Sequence, residues 1–192
     1  MSVQAPGASP RASARIRPGS RSEVGLLGWV VSAVSGRVAG TASPPNLFLT
    51  LGRHRPLFRG WLHFAGRLMP GGKLPRRETE LVILRVAHLA GCDYEFEHHV
   101  KLGRRVGVTG EDVDRVVDGP EEPGWSTREA TLLRTVDLLH RDRDLADEAW
   151  AGLRAHLDER EALELLFLVG HYEMLATALL TLRVQPDRPR RR

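Results

Sequence analysis

Residues 74–108 read LPRRETELVILRVAHLAGCDYEFEHHVKLGRRVGV, and this stretch decides the fold. Pro75 and the acidic residues Glu78 and Glu80 are typical of the first turn of a helix. The apolar run that follows extends the predicted helix until Gly91 offers a C-terminal stop. The stretch therefore begins with a long, largely apolar helix.

A second helix is predicted to begin near Cys92 and Asp93. Cys92, Glu95 and His99 stand at i, i+3 and i+7, which is one face of a helix. We therefore expect a thiol, a carboxylate and an imidazole to point the same way. His98 lies about 100° further round the helix and is expected to face elsewhere.

These two helices resemble the carboxymuconolactone decarboxylase family, whose relatives include the alkyl hydroperoxidase D-like proteins. The signature of the peroxidase branch is a Glu followed twelve residues later by Cys-x-x-Cys-x-x-x-His. Glu80, Cys92 and His99 match it here, with Glu95 in place of the second cysteine. Peroxidase turnover in that branch uses two cysteines, so the resemblance implies that intramolecular dithiol chemistry is absent here.

The decarboxylase branch carries Tyr-Glu-Trp-x-x-His instead. Tyr94, Glu95 and His99 match that pattern, with Phe96 in place of Trp. The resemblance implies a helical bundle closed by a helix within 157–182, and a homo-oligomer (dimer, trimer or hexamer), since relatives form rings of three or six subunits. The helices of this chain have enough apolar surface for subunits to associate.

The whole chain of 192 residues is long enough for one domain with a buried core. No run alternates with period two, so the predicted fold class is all-α, a compact multi-helix bundle. We assign residues 23–185 to this domain. Residues 1–22 lack periodicity and are rich in Pro, Ser, Ala and Arg, which predicts a disordered basic tail, and residues 186–192 form a second basic tail.

The charge is concentrated in those tails. Residues 1–22 and 186–192 together carry eight arginines and one aspartate, a net +7, so a whole-chain charge of +4 leaves −3 for the body. Solvated basic ends are commoner than a nucleic-acid surface, and we expect no nucleic-acid partner.

The compartment follows from the single cysteine and the apolar segments. One cysteine excludes an intramolecular disulfide and gives no indication of an oxidising compartment. Residues 24–34 faintly resemble a secretory signal, but their apolar positions recur at helical spacing, which favours an amphipathic first helix. The longest apolar stretch, 162–182, contains Glu164, His171 and Glu173, which are expensive in lipid. We expect a cytoplasmic protein with no membrane partner.

The remaining pattern predicts further helices. A helix from Pro56 to Leu68 would place Leu57, Trp61, Phe64 and Leu68 on its inner face. Thr109 and a Ser126–Glu129 capping box begin two later helices. Further helices are predicted over 24–38, 46–53, 144–157 and 159–184.

Glu95 and His99 are the main candidates for chemistry. A carboxylate and an imidazole in an apolar bundle can transfer protons near neutral pH, because burial raises the carboxylate pKa. Glu80 is expected to orient His99, and no cofactor is needed. The alternative is an ordinary i, i+4 contact on a helix surface. A metal site would lack a clear fourth ligand, so none is assigned.

Cys92 has two interpretations. Its place at a helix N-terminus favours a nucleophilic thiolate, whereas the nearby Glu95 disfavours it, and lone cysteines are mostly packing residues. Candidates for substrate contact are Tyr94, Trp61 and His171, although Trp61 and His171 could equally be core residues.

Two functions from different classes agree with the sequence. The first is a cofactor-independent lyase or isomerase acting on a small cyclic acid, lactone or enolisable aromatic metabolite. The second is a single-cysteine peroxidase or redox protein that uses an external thiol. A non-catalytic helical assembly module also stays open.

Overall fold

Residues 13–188 are described by a computed structural model of the chain, with only the backbone described at residues 38 and 39. Within that range the fold is all-α, as predicted, and contains no strand apart from an isolated bridge residue. The helices are, in chain order, α1 Arg21–Val24, α2 Leu26–Ala39, α3 Asn46–Leu51, α4 Arg55–Leu68, α5 Arg76–Leu89, α6 Asp93–Gly103, α7 Gly110–Asp118, α8 Thr127–Asp142, α9 Asp147–Arg154 and α10 Glu159–Leu182, with a 3-10 turn at Arg104–Val106.

Helix α5 is the centre of the bundle. All nine residues from Thr79 to Ala87 are buried, and α5 packs against α6, α7, α8 and α10. Two buried charged side chains on α5 are paired rather than isolated: Arg85 binds Asp137, and Glu80 binds partners described below. Such pairing is what allows a charged group to lie in an apolar core.

Helix α10 closes the bundle, as the resemblance implied. Its N-cap Asp158 accepts hydrogen bonds from the backbone of Arg160 and Glu161, each at 2.8 Å. By length and composition α10 could cross a membrane. In this fold, however, nine of its 24 residues are buried in the protein.

The capping residues follow the sequence prediction closely. Thr109 and Ser126 each cap a helix through a capping box. Gly91, at φ 63°, adopts the left-handed conformation that lets the chain turn between α5 and α6. The helix predicted over 144–157 is shorter than expected and spans only Asp147–Arg154.

The inner face of α4 differs from the prediction. Leu57 is 59% exposed and Phe64 is 37% exposed, whereas Phe58 is 1% exposed. Phe58 packs against Phe48, with ring centroids 5.9 Å apart. Helix α4 is therefore rotated so that Phe58, rather than Leu57, faces the core.

The predicted tail boundaries also need correction. Residues 13–22 do not run free: the backbone N–H of Arg15 donates to Leu182 (2.9 Å), and that of Gly19 donates to Leu49 (3.0 Å). At the other end, the side chain of Asp187 is only 4% exposed. The parts of the two predicted tails at 1–12 and 189–192 lie outside the described residues.

Candidate functional site

The candidate site is a cavity of about 390 Å3 between α5, α6, α10 and the α2–α4 segment. It is mostly apolar, with Leu47, Phe48, Met69 and Leu175 among its lining side chains. A few polar groups converge on it, which is the usual composition of a small-molecule pocket. The polar or aromatic residues on its wall are Trp61, Arg76, Tyr94, Glu95, His98, His99, His171 and Tyr172.

His99 and Glu80 form a buried pair at this cavity. Nδ1 of His99 lies 2.7 Å from Oε2 of Glu80, and the Glu80 side chain is 0% exposed. A carboxylate accepts the Nδ1 proton, which fixes the tautomer and leaves Nε2 as the basic ring nitrogen. The contact that was expected between Glu80 and His99 is therefore present.

Arg76 completes this group and was missed by the sequence analysis. Its Nη2 donates to Oε1 of Glu80 at 2.8 Å, one turn along α5. The i, i+4 spacing of Arg76 and Glu80 is the signal that could have identified the pair.

Glu95 lies on the cavity wall without a charge partner. It is 3% exposed, and its Oε2 makes no hydrogen bond within residues 13–188. Burial raises the pKa of Glu95 to about 8, so the carboxyl is mainly protonated at neutral pH. A neutral carboxyl group can donate a proton or a hydrogen bond to a bound molecule.

His171 contributes a neutral imidazole. Burial lowers the pKa of His171 to about 4, with a smaller effect from His99. Its ring stacks on Trp61 at 6.0 Å and meets Tyr172 edge-on at 5.1 Å. Tyr172 in turn meets the ring of His99 at 5.1 Å, so one continuous set of rings joins Trp61 to His99.

Several polar atoms on the cavity residues are buried without a partner among the described residues. They are Nε1 of Trp61, Nη1 of Arg76, Oε2 of Glu95, Nε2 of His98 and Nδ1 of His171; Nε2 of His98 lies near a carboxylate but makes no hydrogen bond within residues 13–188. Each unpaired buried group costs about 1–3 kcal/mol, and native proteins keep few of them. Their concentration on one cavity makes it the candidate binding site.

Cys92 does not share the cavity with Glu95 and His99, contrary to the helical-face prediction. It is the N-cap of α6, with φ −97° and ψ 81°, so helical spacing does not apply to it. It is 2% exposed and lies beside a separate cleft with Tyr94 and residues 183–186. Burial raises the pKa of the thiol to about 11, and the charges of Glu95 and Asp93 also raise it.

His98 is the second correction, because it lines the same cavity as His99. Its Nδ1 lies 3.1 Å from the carbonyl oxygen of Tyr94, and its Nε2 lies 3.1 Å from Oδ2 of Asp187. The cavity extends round α6 far enough to meet two faces of that helix. Within residues 13–188, no cluster of three or more His, Cys, Asp or Glu side chains is arranged for a metal ion.

Solved structures of alkyl hydroperoxidase D-like and related proteins share this all-helical fold. A peroxidase-related protein with an AhpD core from Ralstonia eutropha JMP134 superimposes with a TM-score of 0.80 at 18% identity, covering 94% of each chain. A putative antioxidant defence protein AhpD from Agrobacterium tumefaciens gives a TM-score of 0.63 at 23% identity, covering 68% of this chain and 90% of that one. The debrominase Bmp8 gives 0.73 at 17% identity, covering 90% of this chain and 91% of that one, and a variant of it has been solved in complex with 2,3,4-tribromopyrrole.

The sequence of the same region is similar to a known family. Residues 55–137 match the model of the carboxymuconolactone decarboxylase family, which confirms the resemblance. The similarity to that family therefore covers 83 of the 192 residues. No curated protein matches the chain at a significant level.

Proposed function

We propose that the protein is a cofactor-independent acid–base enzyme of the lyase or isomerase type. The reaction is a decarboxylation, a dehydration or a keto–enol or cyclisation step on a small cyclic acid, lactone or enolisable aromatic metabolite. The observation that carries the proposal is that a neutral acid, Glu95, and a carboxylate-oriented imidazole, His99, line one mostly apolar cavity. We place this enzyme in the cytoplasm.

His99 is assigned the role of base. Its Nδ1 is held by Glu80 at 2.7 Å, so Nε2 accepts the proton from carbon. Glu80 is a positioning residue, because it acts through His99. As the imidazole becomes positive, the carboxylate stabilises the charge, which is the arrangement that makes an imidazole an effective base.

Glu95 and Arg76 are assigned the role of stabilising the negative charge that develops on the substrate oxygen. With its pKa raised to about 8, Glu95 donates a proton or a hydrogen bond as an enolate develops. Arg76 lines the same cavity and carries a fixed positive charge, which favours an anionic oxygen. A proton moves from carbon to His99 and, in an isomerisation, returns to another atom of the same molecule, so no electron acceptor is required.

The lining indicates a flat molecule rich in hydrogen-bond acceptors. Nε1 of Trp61 and Nη1 of Arg76 can only donate, and protonated Glu95 donates as well. The stacked rings of Trp61 and His171 offer a planar surface. The small planar ring bound by the debrominase variant in the same fold supports a ligand of this shape.

The alternative is a single-cysteine peroxidase that uses an external thiol. It agrees with the peroxidase-related proteins among the structural neighbours. Against it, the Cys92 thiol is 2% exposed, its pKa is raised to about 11, and it lies outside the cavity of His99. A thiol of this kind carries little thiolate at neutral pH.

The test is hydrogen–deuterium exchange at carbon, followed by NMR in D2O with α-angelica lactone and 2-oxocyclohexanecarboxylate as probes. Wild type is expected to accelerate the exchange of at least one probe, and His99→Gln is expected to reduce this by about 10²–10⁴-fold. The matched control is His140→Gln. His140 also contacts a glutamate, Glu173, at 2.8 Å, but it lies outside the cavity and should leave exchange unchanged.

The same preparations distinguish the two functions. Turnover of cumene hydroperoxide with dithiothreitol, lost in Cys92→Ala, would replace the acid–base proposal by the peroxidase one. Exchange that is equal in wild type and His99→Gln would remove His99 from the reaction.

A further inference from the structure

The chain beyond α10 turns back over the beginnings of α3 and α6. Arg183 ends α10 in the left-handed conformation, at φ 54°. The Asn46 side chain then donates to the carbonyl oxygen of Gln185 at 2.9 Å, and the backbone N–H of Ala42 donates to that of Arg188 at 2.9 Å. We call residues 183–188 the C-terminal segment.

Asp187 is the buried anchor of this segment. Its Oδ1 accepts from the backbone N–H of Asn46 at 2.7 Å. Its Oδ2 accepts from the hydroxyl of Tyr94 at 2.8 Å and lies 3.1 Å from Nε2 of His98. One carboxylate, 4% exposed, therefore ties the C-terminal segment to α3 and to α6. A buried carboxylate is stable only with such partners, so the contacts are strongly coupled to its position.

Tyr94 is held in position by these contacts. It lines the cavity of Glu95 and His99, and it also lines the cleft of about 320 Å3 beside Cys92. Its hydroxyl is held from two sides, since it donates to Asp187 and accepts from the backbone N–H of Leu47 at 3.2 Å. The ring is thereby fixed as a shared wall between the two spaces.

We propose that Asp187 is a positioning residue that fixes Tyr94, and so keeps the cavity of Glu95 and His99 separate from the cleft beside Cys92. Release of the C-terminal segment moves Tyr94 and gives small molecules access to the thiol. The inference does not depend on which reaction the cavity performs. It follows from the placement of one carboxylate against a residue of the cavity wall.

Alkylation of Cys92 by iodoacetamide tests this directly, because Cys92 is the only cysteine of the chain. Labelling of the full-length protein is followed by intact-mass spectrometry under native conditions. Asp187→Ala is expected to raise the labelling rate at least tenfold, and Tyr94→Phe should raise it by a smaller factor. The double variant should be no faster than Asp187→Ala alone, since both changes break the same contact.

Two controls separate positioning from general loosening. Arg188→Ala alters an exposed side chain of the same segment and should label like wild type. Val116→Ala destabilises the second core cluster, away from the segment, and lowers the melting temperature without moving Tyr94. Labelling of Asp187→Ala at the wild-type rate, or at the rate of Val116→Ala when melting temperatures are matched, would overturn the proposal.

Discussion

The carboxyl group of Glu95 shows how burial alone changes the chemistry of a residue. It is 3% exposed, and burial is the cause of a pKa near 8, against an ordinary value of 4.5. The folded protein therefore binds a proton at Glu95 that the unfolded chain releases above pH 4.5. Keeping this proton adds to the free energy of unfolding. The contribution is fully present at pH 4.5 and below, and it is lost progressively as pH rises to 8.

Glu95→Gln is expected to remove this loss. Between pH 5 and pH 9 the wild type should lose more stability than the variant, by up to about 1.4 kcal/mol for each unit by which the folded pKa is raised. Urea denaturation at the two pH values measures the difference, and all other titrating groups cancel in the comparison. Equal losses in the two proteins would mean that Glu95 titrates normally.

Arg76→Lys tests the contribution of the Arg76 guanidinium, which donates a hydrogen bond to Glu80. Lysine keeps the positive charge beside Glu80 but loses the planar fork, including the unpartnered Nη1. We expect a drop of about 10–100-fold in kcat/KM for the exchange probe, the cost of one hydrogen bond to a charged group. Arg77→Lys is the matched control, because Arg77 pairs with Asp112 and Glu129 and does not line the cavity.

Among single residues, the Glu80–His99 contact could be predicted from the sequence. The two residues are nineteen positions apart, and the family resemblance places them in one motif. It failed for Cys92, because an N-cap residue does not follow helical spacing. It also failed for Asp187, which was assigned to a solvated tail. Asp187 can be buried because the backbone N–H of Asn46 and the hydroxyl of Tyr94, both far away in the sequence, donate hydrogen bonds to its carboxylate.

At the scale of elements, helix ends were predictable because capping chemistry is local. Thr109 and Ser126 each bond the third residue of the helix they begin. The rotation of α4 was not predictable in the same way. Both Leu57 and Phe58 are apolar, and tertiary contact with Phe48 decides that Phe58 is the buried one.

Asp158→Ala tests the cap of α10. Asp158 accepts two backbone hydrogen bonds and belongs to a capping box with Glu161, so its loss should cost about 0.5–2 kcal/mol. Exchange activity per folded molecule should be unchanged, because Asp158 does not line the cavity. Glu159→Ala, next in the chain and outside the cap, serves as the control in chemical denaturation.

At the scale of the whole molecule, α4 and α10 together expose an apolar face. It combines Leu57 and Phe64 of α4 with Leu163, Phe167 and Met174 of α10, exposed by 37–59%, and it is distinct from the exposed apolar residues of α2. The rings of Phe64 and Phe167 lie 6.2 Å apart, so the face is continuous across the two helices. Continuous apolar faces of this kind are typical of protein interfaces.

We therefore predict that the protein is a homo-oligomer, a dimer, trimer or hexamer, built on this face. Phe167→Glu should shift the molar mass in light scattering toward the monomer, because it places a charge in the interface. Val117→Glu changes an exposed apolar residue of α7, away from the face, and should not alter the mass. A monomeric wild type would refute the prediction.

The proposed chemistry depends on a neutral carboxyl group at Glu95 in the cavity that the oriented imidazole of His99 also lines. Its most direct test is the titration of Glu95 by 13C NMR of protein labelled at the glutamate carboxyl carbon, with Glu95→Gln used to assign the signal. We expect a midpoint near pH 8. A midpoint near 4.5, the ordinary value for glutamate, would mean that Glu95 is ionised at neutral pH and is not the proton donor.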